Sequence, residues 1–111
     1  MKLITKEIKI KLDSNNKREP EERVPYLKLF NPCGPATWLI TEYNEGTGLF
    51  FGLCDLGFGY PELGYVSLEE IESVELPLGL KIERDLCWSP EGNIMEYYRM
   101  AKERGEICQL S

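Results

Sequence analysis

The sequence predicts one α+β domain, a four- to six-stranded, mainly antiparallel sheet with two helices packed on one face. Three observations carry that expectation. β-Branched and aromatic runs recur at short intervals, as in residues 37–43 (TWLITEY) and 49–56 (LFFGLCDL). Gly- and Pro-rich turns separate them. Two segments, opening at Ser67 and Ser89, carry helix-start chemistry instead.

Residues 3–12 (LITKEIKIKL) alternate Lys or Glu with Leu or Ile, the period of a half-buried strand. Residues 13–22 (DSNNKREPEE) are charged and broken by Pro20, and read as a mobile loop. Residues 24–30 form a short apolar stretch before the turn residues Asn31-Pro32 and Gly34-Pro35. The runs 37–43 and 49–56 flank the loop NEGTG, which makes them a hairpin. GFGYP at 57–61 is a second turn, and 62–66 a short strand after it. Ser67-Leu68-Glu69-Glu70 has the spacing of a capping box, with a short helix to about Glu75 and a stop at Pro77 and Gly79. Residues 80–86 read as another strand. Ser89-Pro90-Glu91 predicts a helix to Arg104, closed by Gly105, with Ile94, Tyr97, Tyr98 and Ala101 on its apolar face.

At 111 residues the chain has the size of one domain. Folding would bury about two thirds of its surface, enough for a core without metal or disulfide staples. No apolar run approaches the ~18–20 residues of a membrane span. The charged N-terminus is not a signal peptide, so a cytoplasmic location is expected. The four cysteines, Cys33, Cys54, Cys87 and Cys108, then read as reduced thiols. They form no C-x-x-C pair, and no metal or other cofactor is expected. The chain has no histidine, which excludes Ser-His-Asp triads, Cys-His dyads and His-ligated metals. Any general base must be a carboxylate, lysine, tyrosine or cysteine.

Three strings, LFNPCGPATWLITE, GLCDLGFGYPELGYVSLEEIES and LGLKIERDL, follow one another with short spacers. Through them the chain resembles the uncharacterised domain-of-unknown-function family twenty-nine fifty-eight, over roughly residues 24–104. Residues 1–13 lie outside the resemblance. Members of that family occur on bacterial plasmids, phages and integrative elements, beside proteins that handle DNA transfer or blunt host defence. The resemblance implies similar company for this chain and no established activity. Members often carry a histidine after the ERDL string; Cys87 stands there in this chain. Family chemistry that needs that histidine is therefore not carried over.

Charge is unevenly distributed. Residues 1–30 hold eight basic against five acidic side chains, net +3, and the remainder hold five against fourteen, net −9. Between Lys28 and Lys81 there is no basic residue, yet eight carboxylates fall there. Such a field repels nucleic acid and attracts basic surfaces. Direct DNA binding through the N-terminal segment is disfavoured by an overall pI near 4.7.

The leading expectation is a protein-binding adaptor or inhibitor. It would meet a basic surface, such as that of a nucleic-acid-processing or defence enzyme, through Tyr60, Glu62, Glu69, Glu70 and Glu72. The plainer reading of these residues is a solvated turn and helix face. The alternative is a divalent-metal-dependent hydrolase or nuclease accessory using Glu42, Asp55, Glu62, Glu83 and Asp85. It requires those five to converge. Asp55 and Glu62 flank the 57–61 turn and could face each other across it, although Asp at a turn commonly bonds its own backbone. Cys33, between Pro32 and Gly34, is expected to be exposed, unlike the other thiols. Arg84 is expected to be partly buried against a carboxylate, Glu42 or Asp55.

Overall fold

The first regular element is a helix. The computed structural model, which describes residues 1–111, places α1 over Lys6–Ser14, inside the segment whose alternation predicts a strand. A second spacing wins. Ile4, Ile8 and Leu12 recur every four residues and pack together into the core, leaving Ile10 62% exposed. Thr5 supplies the cap, its Oγ1 accepting from the Ile8 amide at 3.2 Å, with Glu7 in the first turn and Lys11 in the last.

The polar stretch after α1, expected as a mobile loop, is shaped by two short 3-10 turns and tied down by Asn15. Asn15 is fully buried. Its amide nitrogen donates to the carbonyls of Val24 and Thr41, both at 2.8 Å. Its Oδ1 accepts from the Val24 amide at 2.9 Å and from Arg18 at 3.1 Å. An asparagine can be buried only when its polar atoms are satisfied in this way.

Five strands follow: β1 (Leu27–Phe30), β2 (Thr37–Asn44), β3 (Leu49–Asp55), β4 (Glu62–Ser67) and β5 (Glu83–Arg84). They form one antiparallel sheet in the order β4-β3-β2-β1-β5. The α+β class and the antiparallel sheet are as the sequence predicts. The expected strand over 80–86 shrinks to two paired residues, Glu83 and Arg84.

Side chains alternate across the sheet. Leu27, Leu29, Trp38, Ile40 and Phe50 point to one face, which α1 covers through Leu12 and α2 (Leu68–Ser73) covers through Ile71. Leu39 and Leu53, paired across β2 and β3, point to the other face. There α3 (Ile94–Arg104) meets them with Ile94, Tyr97 and Ala101. Two helices do share a face, but they are α1 and α2. The expected pair, α2 and α3, is divided between opposite faces.

Ser67 caps α2 as its spacing predicts, accepting from the Glu70 amide at 3.3 Å. The start of α3 shifts. Ser89-Pro90 does not open it; Asn93 does, through a capping box with Glu96. The intervening residues 85–92 are held instead as a loop. Trp88 donates Nε1–H to the Pro25 carbonyl at 2.7 Å, and the Tyr97 hydroxyl accepts from the Glu91 amide at 2.9 Å. The Arg23 carbonyl takes the first α3 amide, that of Ile94, at 2.7 Å. Gly105 closes α3 in the left-handed conformation.

The register of β2 on β3 shifts between Ile40 and Glu42, so that Thr41 is a bulged residue with no opposite number. Its carbonyl, freed from the ladder, is one of those taken by Asn15. Below the bulge the strands close tightly at Gly52, where a Cβ would lie 2.0 Å from the Leu39 carbonyl oxygen.

Candidate docking surface

The basic N-terminal segment neutralises part of the acidic remainder and leaves part of it bare. Lys9 pairs with Glu45 at 2.7 Å, Arg23 with Glu42 at 2.6 Å and Lys28 with Asp85 at 3.4 Å. The bond to Glu45 holds the Lys9 ammonium above its ordinary pKa. Lys28 also lies 5.2 Å from the centre of the Trp88 ring. All three acids lie on the β2–β3 hairpin or beside β5, within reach of α1, the loop after it and β1.

The carboxylates of β4 and α2 have no such partner. Glu62, Glu69, Glu70, Glu72 and Glu75 are exposed, and none makes an ion pair. Glu62 opens β4 while Glu69 and Glu70 lie in the first turn of α2, at the other end of roughly 16 Å of strand. The acidic groups therefore flank β4. Beside Glu62, the turn from Leu56 to Tyr60 projects apolar side chains: Phe58 is 78% and Tyr60 81% exposed. With Cys54 and Glu62 they line a shallow depression of about 250 Å³. Gly57 and Gly59 hold this turn at positive φ.

The five carboxylates of the metal-site alternative do not converge. Asp55 is buried, with Oδ1 accepting from the Gly57 amide at 2.9 Å and Oδ2 from the Ile107 amide at 3.0 Å. It closes its own turn and clamps the C-terminal segment to the sheet. Glu42 is paired with Arg23, and Asp85 accepts from the Cys87 amide at 2.9 Å. Glu62 and Glu83 lie on opposite edge strands, separated by about 19 Å of sheet. No group of three or more Cys, Asp or Glu side chains is placed to hold a metal ion. Asp55 and Glu62 do not face each other as a pair.

Arg84 meets no carboxylate. Its guanidinium donates to the Lys2 carbonyl at 2.6 Å, while Glu42, one expected partner, is taken by Arg23. Arg23 follows directly on the stretch expected as a mobile loop and lies nineteen residues from Glu42 in sequence, so spacing offered no sign of this pairing.

All four thiols are free, and Cys87 is exposed as well as Cys33. Cys54, half-buried on β3, has its pKa pushed up from 9.0 to about 11 by burial. The folded state thus holds this proton more tightly than the unfolded chain. Its contribution to stability is complete below pH 9 and is lost as pH rises toward 11. Alkylation with iodoacetamide at pH 8, followed by mass spectrometry, is expected to modify Cys33 and Cys87 at least ~10-fold faster than Cys54. Equal rates would contradict this burial.

Fold and surface together define a small α+β domain with an open-edged antiparallel sheet and an acidic rim. The family model described as "Protein of unknown function (DUF2958)" matches residues 3–108, and the chain belongs to that family. The match includes α1, which the resemblance by motif left outside. No curated protein and no solved structure matches the chain. No helix is long and apolar enough to cross a membrane.

Proposed function

We propose that this protein is a small acidic adaptor or inhibitor of mobile genetic elements, which docks on a basic protein surface such as that of a nucleic-acid-processing or defence enzyme. The observation that carries the reading is the uncompensated charge on β4 and α2. The chain's own basic residues pair with Glu42, Glu45 and Asp85 and leave Glu62, Glu69, Glu70 and Glu72 free. Exposed charge of one sign steers and orients a partner of the other. The exposed Phe58 and Tyr60 beside Glu62 add the aromatic contact area that protein interfaces favour. The mobile-element and anti-defence parts of the reading rest on the company kept by the family.

The test is capture of partners from bacterial lysate on the tagged protein. A retained protein should elute as salt approaches about 0.5 M, where the screening length falls to a few ångströms. The triple variant Glu69→Lys, Glu70→Lys, Glu72→Lys should lose it by at least ~10-fold. A control with Glu19→Lys and Glu21→Lys, exposed on the segment between α1 and β1 and away from β4 and α2, should retain it. Equal capture by the triple variant, with its circular dichroism unchanged, would sink the docking surface.

A further inference from the structure

The two edges of the sheet are treated differently. At one edge β5 pairs only two residues, and the outward amide of Arg84 is covered by Met1, whose Sδ accepts it at 3.3 Å. The other edge, β4, is six residues long and has β3 on one side only.

Two hydrogen bonds fix which β4 groups point outward. The Leu68 amide donates to the Gly48 carbonyl at 2.9 Å, so Leu68 faces β3. The Thr41 hydroxyl on β2 donates to the Phe51 carbonyl at 3.3 Å, so that carbonyl faces β2 and the backbone groups of its neighbours Phe50 and Gly52 face β4. Both place Glu62, Gly64 and Val66 in the β3 ladder, by the alternation of an antiparallel pair. The N–H and C=O groups of Leu63 and Tyr65, and the N–H of Ser67, then point away from the sheet, while the Ser67 carbonyl starts α2. No proline interrupts this edge, and the space beside Gly64 is open within 4 Å of an added Cβ.

We propose that β4 accepts an extended, basic segment of the partner as a sixth strand, hydrogen-bonded to Leu63, Tyr65 and Ser67. This rests on the docking function proposed above and names the form of its partner. Charge selects the occupant. Glu62 stands at one end of the edge and Glu69 and Glu70 at the other, and none has a counter-ion. A second copy of this chain, paired antiparallel along β4, would bring Glu62 of each copy toward Glu69 and Glu70 of the other, and like charges disfavour that pairing. A strand with alternate lysines or arginines would place them on the α2 side, between the two acidic ends. Its intervening apolar residues would lie against Leu63 and Tyr65 on the other face; Tyr65 is 72% exposed and already packs edge-on to Phe51. Strand addition draws affinity from the main chain and selectivity from alternate side chains.

The probe is a capped seven-residue peptide alternating lysine and valine, with binding read by fluorescence anisotropy. At saturation, hydrogen exchange at the Leu63, Tyr65 and Ser67 amides should slow by about tenfold or more, as expected for amides entering a ladder. N-methylating the peptide along the edge that faces β4 should weaken binding by about tenfold or more. Methylating the opposite edge should leave it unchanged. Equal binding by the two methylated peptides, or no slowing at the three amides, overturns the strand proposal. If the lysine peptide still outbinds its glutamate counterpart, the acidic docking surface survives that failure. If neither charge binds, both fall. A dimer of the protein alone, with those three amides already slowed, would put a second copy on the edge and also overturn the proposal.

Discussion

Gly52→Ala is expected to destabilise the protein by about 3 kcal/mol or more, the upper range for overpacking a well-filled interior. The added Cβ would lie 2.0 Å from the Leu39 carbonyl oxygen and 2.8 Å from the Ile40 Cα. Both are backbone atoms, so no side-chain rotation relieves the clash. They belong to the strand that bulges one residue later, at Thr41, and moving them disturbs the ladder on both sides of β2. A domain of this size is stable by only ~5–15 kcal/mol, so the loss is a large fraction of the whole. In thermal unfolding the midpoint should fall by roughly 12 °C or more. Gly64→Ala is the comparison. Directly opposite Gly52 in the register, it has nothing within 4 Å of its Cβ, and should shift stability by no more than about 0.5 kcal/mol. Similar midpoints for the two variants would show that β2 and β3 do not approach so closely.

Asn15→Leu should cost about 3 kcal/mol while nearly preserving side-chain volume. The substitution leaves the Val24 amide and the Val24 and Thr41 carbonyls without their partner. A polar group abandoned in a buried site costs about 1–3 kcal/mol, far more than the net value of the bond it lost. Asn15 also holds the chain between α1 and β1 against the bulge, so its loss should open that chain locally before the sheet unfolds. The urea midpoint should drop, and trypsin should cut after Lys17, Arg18 or Arg23 at least ~10-fold faster. An unchanged midpoint with unchanged cleavage would mean that water replaces Asn15 at no cost.

These two residues mark where sequence reading ran out. The hairpin of β2 and β3, strand β4 and the cap of α2 were legible because each depends on neighbours in sequence: β-branched runs, a Gly-rich loop, a serine three residues before a glutamate. The N-terminus carried two apolar periods at once, Ile8-Ile10-Leu12 and Ile4-Ile8-Leu12. Only the tertiary contact decided between them. The Thr5 cap was the local clue that favours the helix. Asn15 looked like one more polar residue in a charged stretch, because its partners lie nine and twenty-six residues away. The start of α3 shows the reverse case. Ser89-Pro90-Glu91 has good local chemistry, but Trp88 and Tyr97 hold the chain before Asn93 in a loop, and the later capping box takes over.

The candidate surface divides in the same way. That acidic residues outnumber basic ones beyond residue 30 is visible in composition. Which of them are neutralised is not, because the pairings Lys9–Glu45, Arg23–Glu42 and Lys28–Asp85 join residues far apart in sequence. Folding withdraws Glu42 and Asp85 from the metal-site alternative and Asp55 into the clamp on the C-terminal segment. It leaves Glu62, Glu69, Glu70 and Glu72 around the one long open edge of the sheet.

On the proposed function, the partner meets the protein along β4 and α2. That contact can be read by zero-length carbodiimide cross-linking of the captured complex, with the linked residues mapped by mass spectrometry. Amide cross-links are expected from partner lysines to Glu62, Glu69, Glu70 or Glu72. Cross-links confined to carboxylates such as Glu7, Glu19 or Glu21, on α1 and the segment after it, would contradict it.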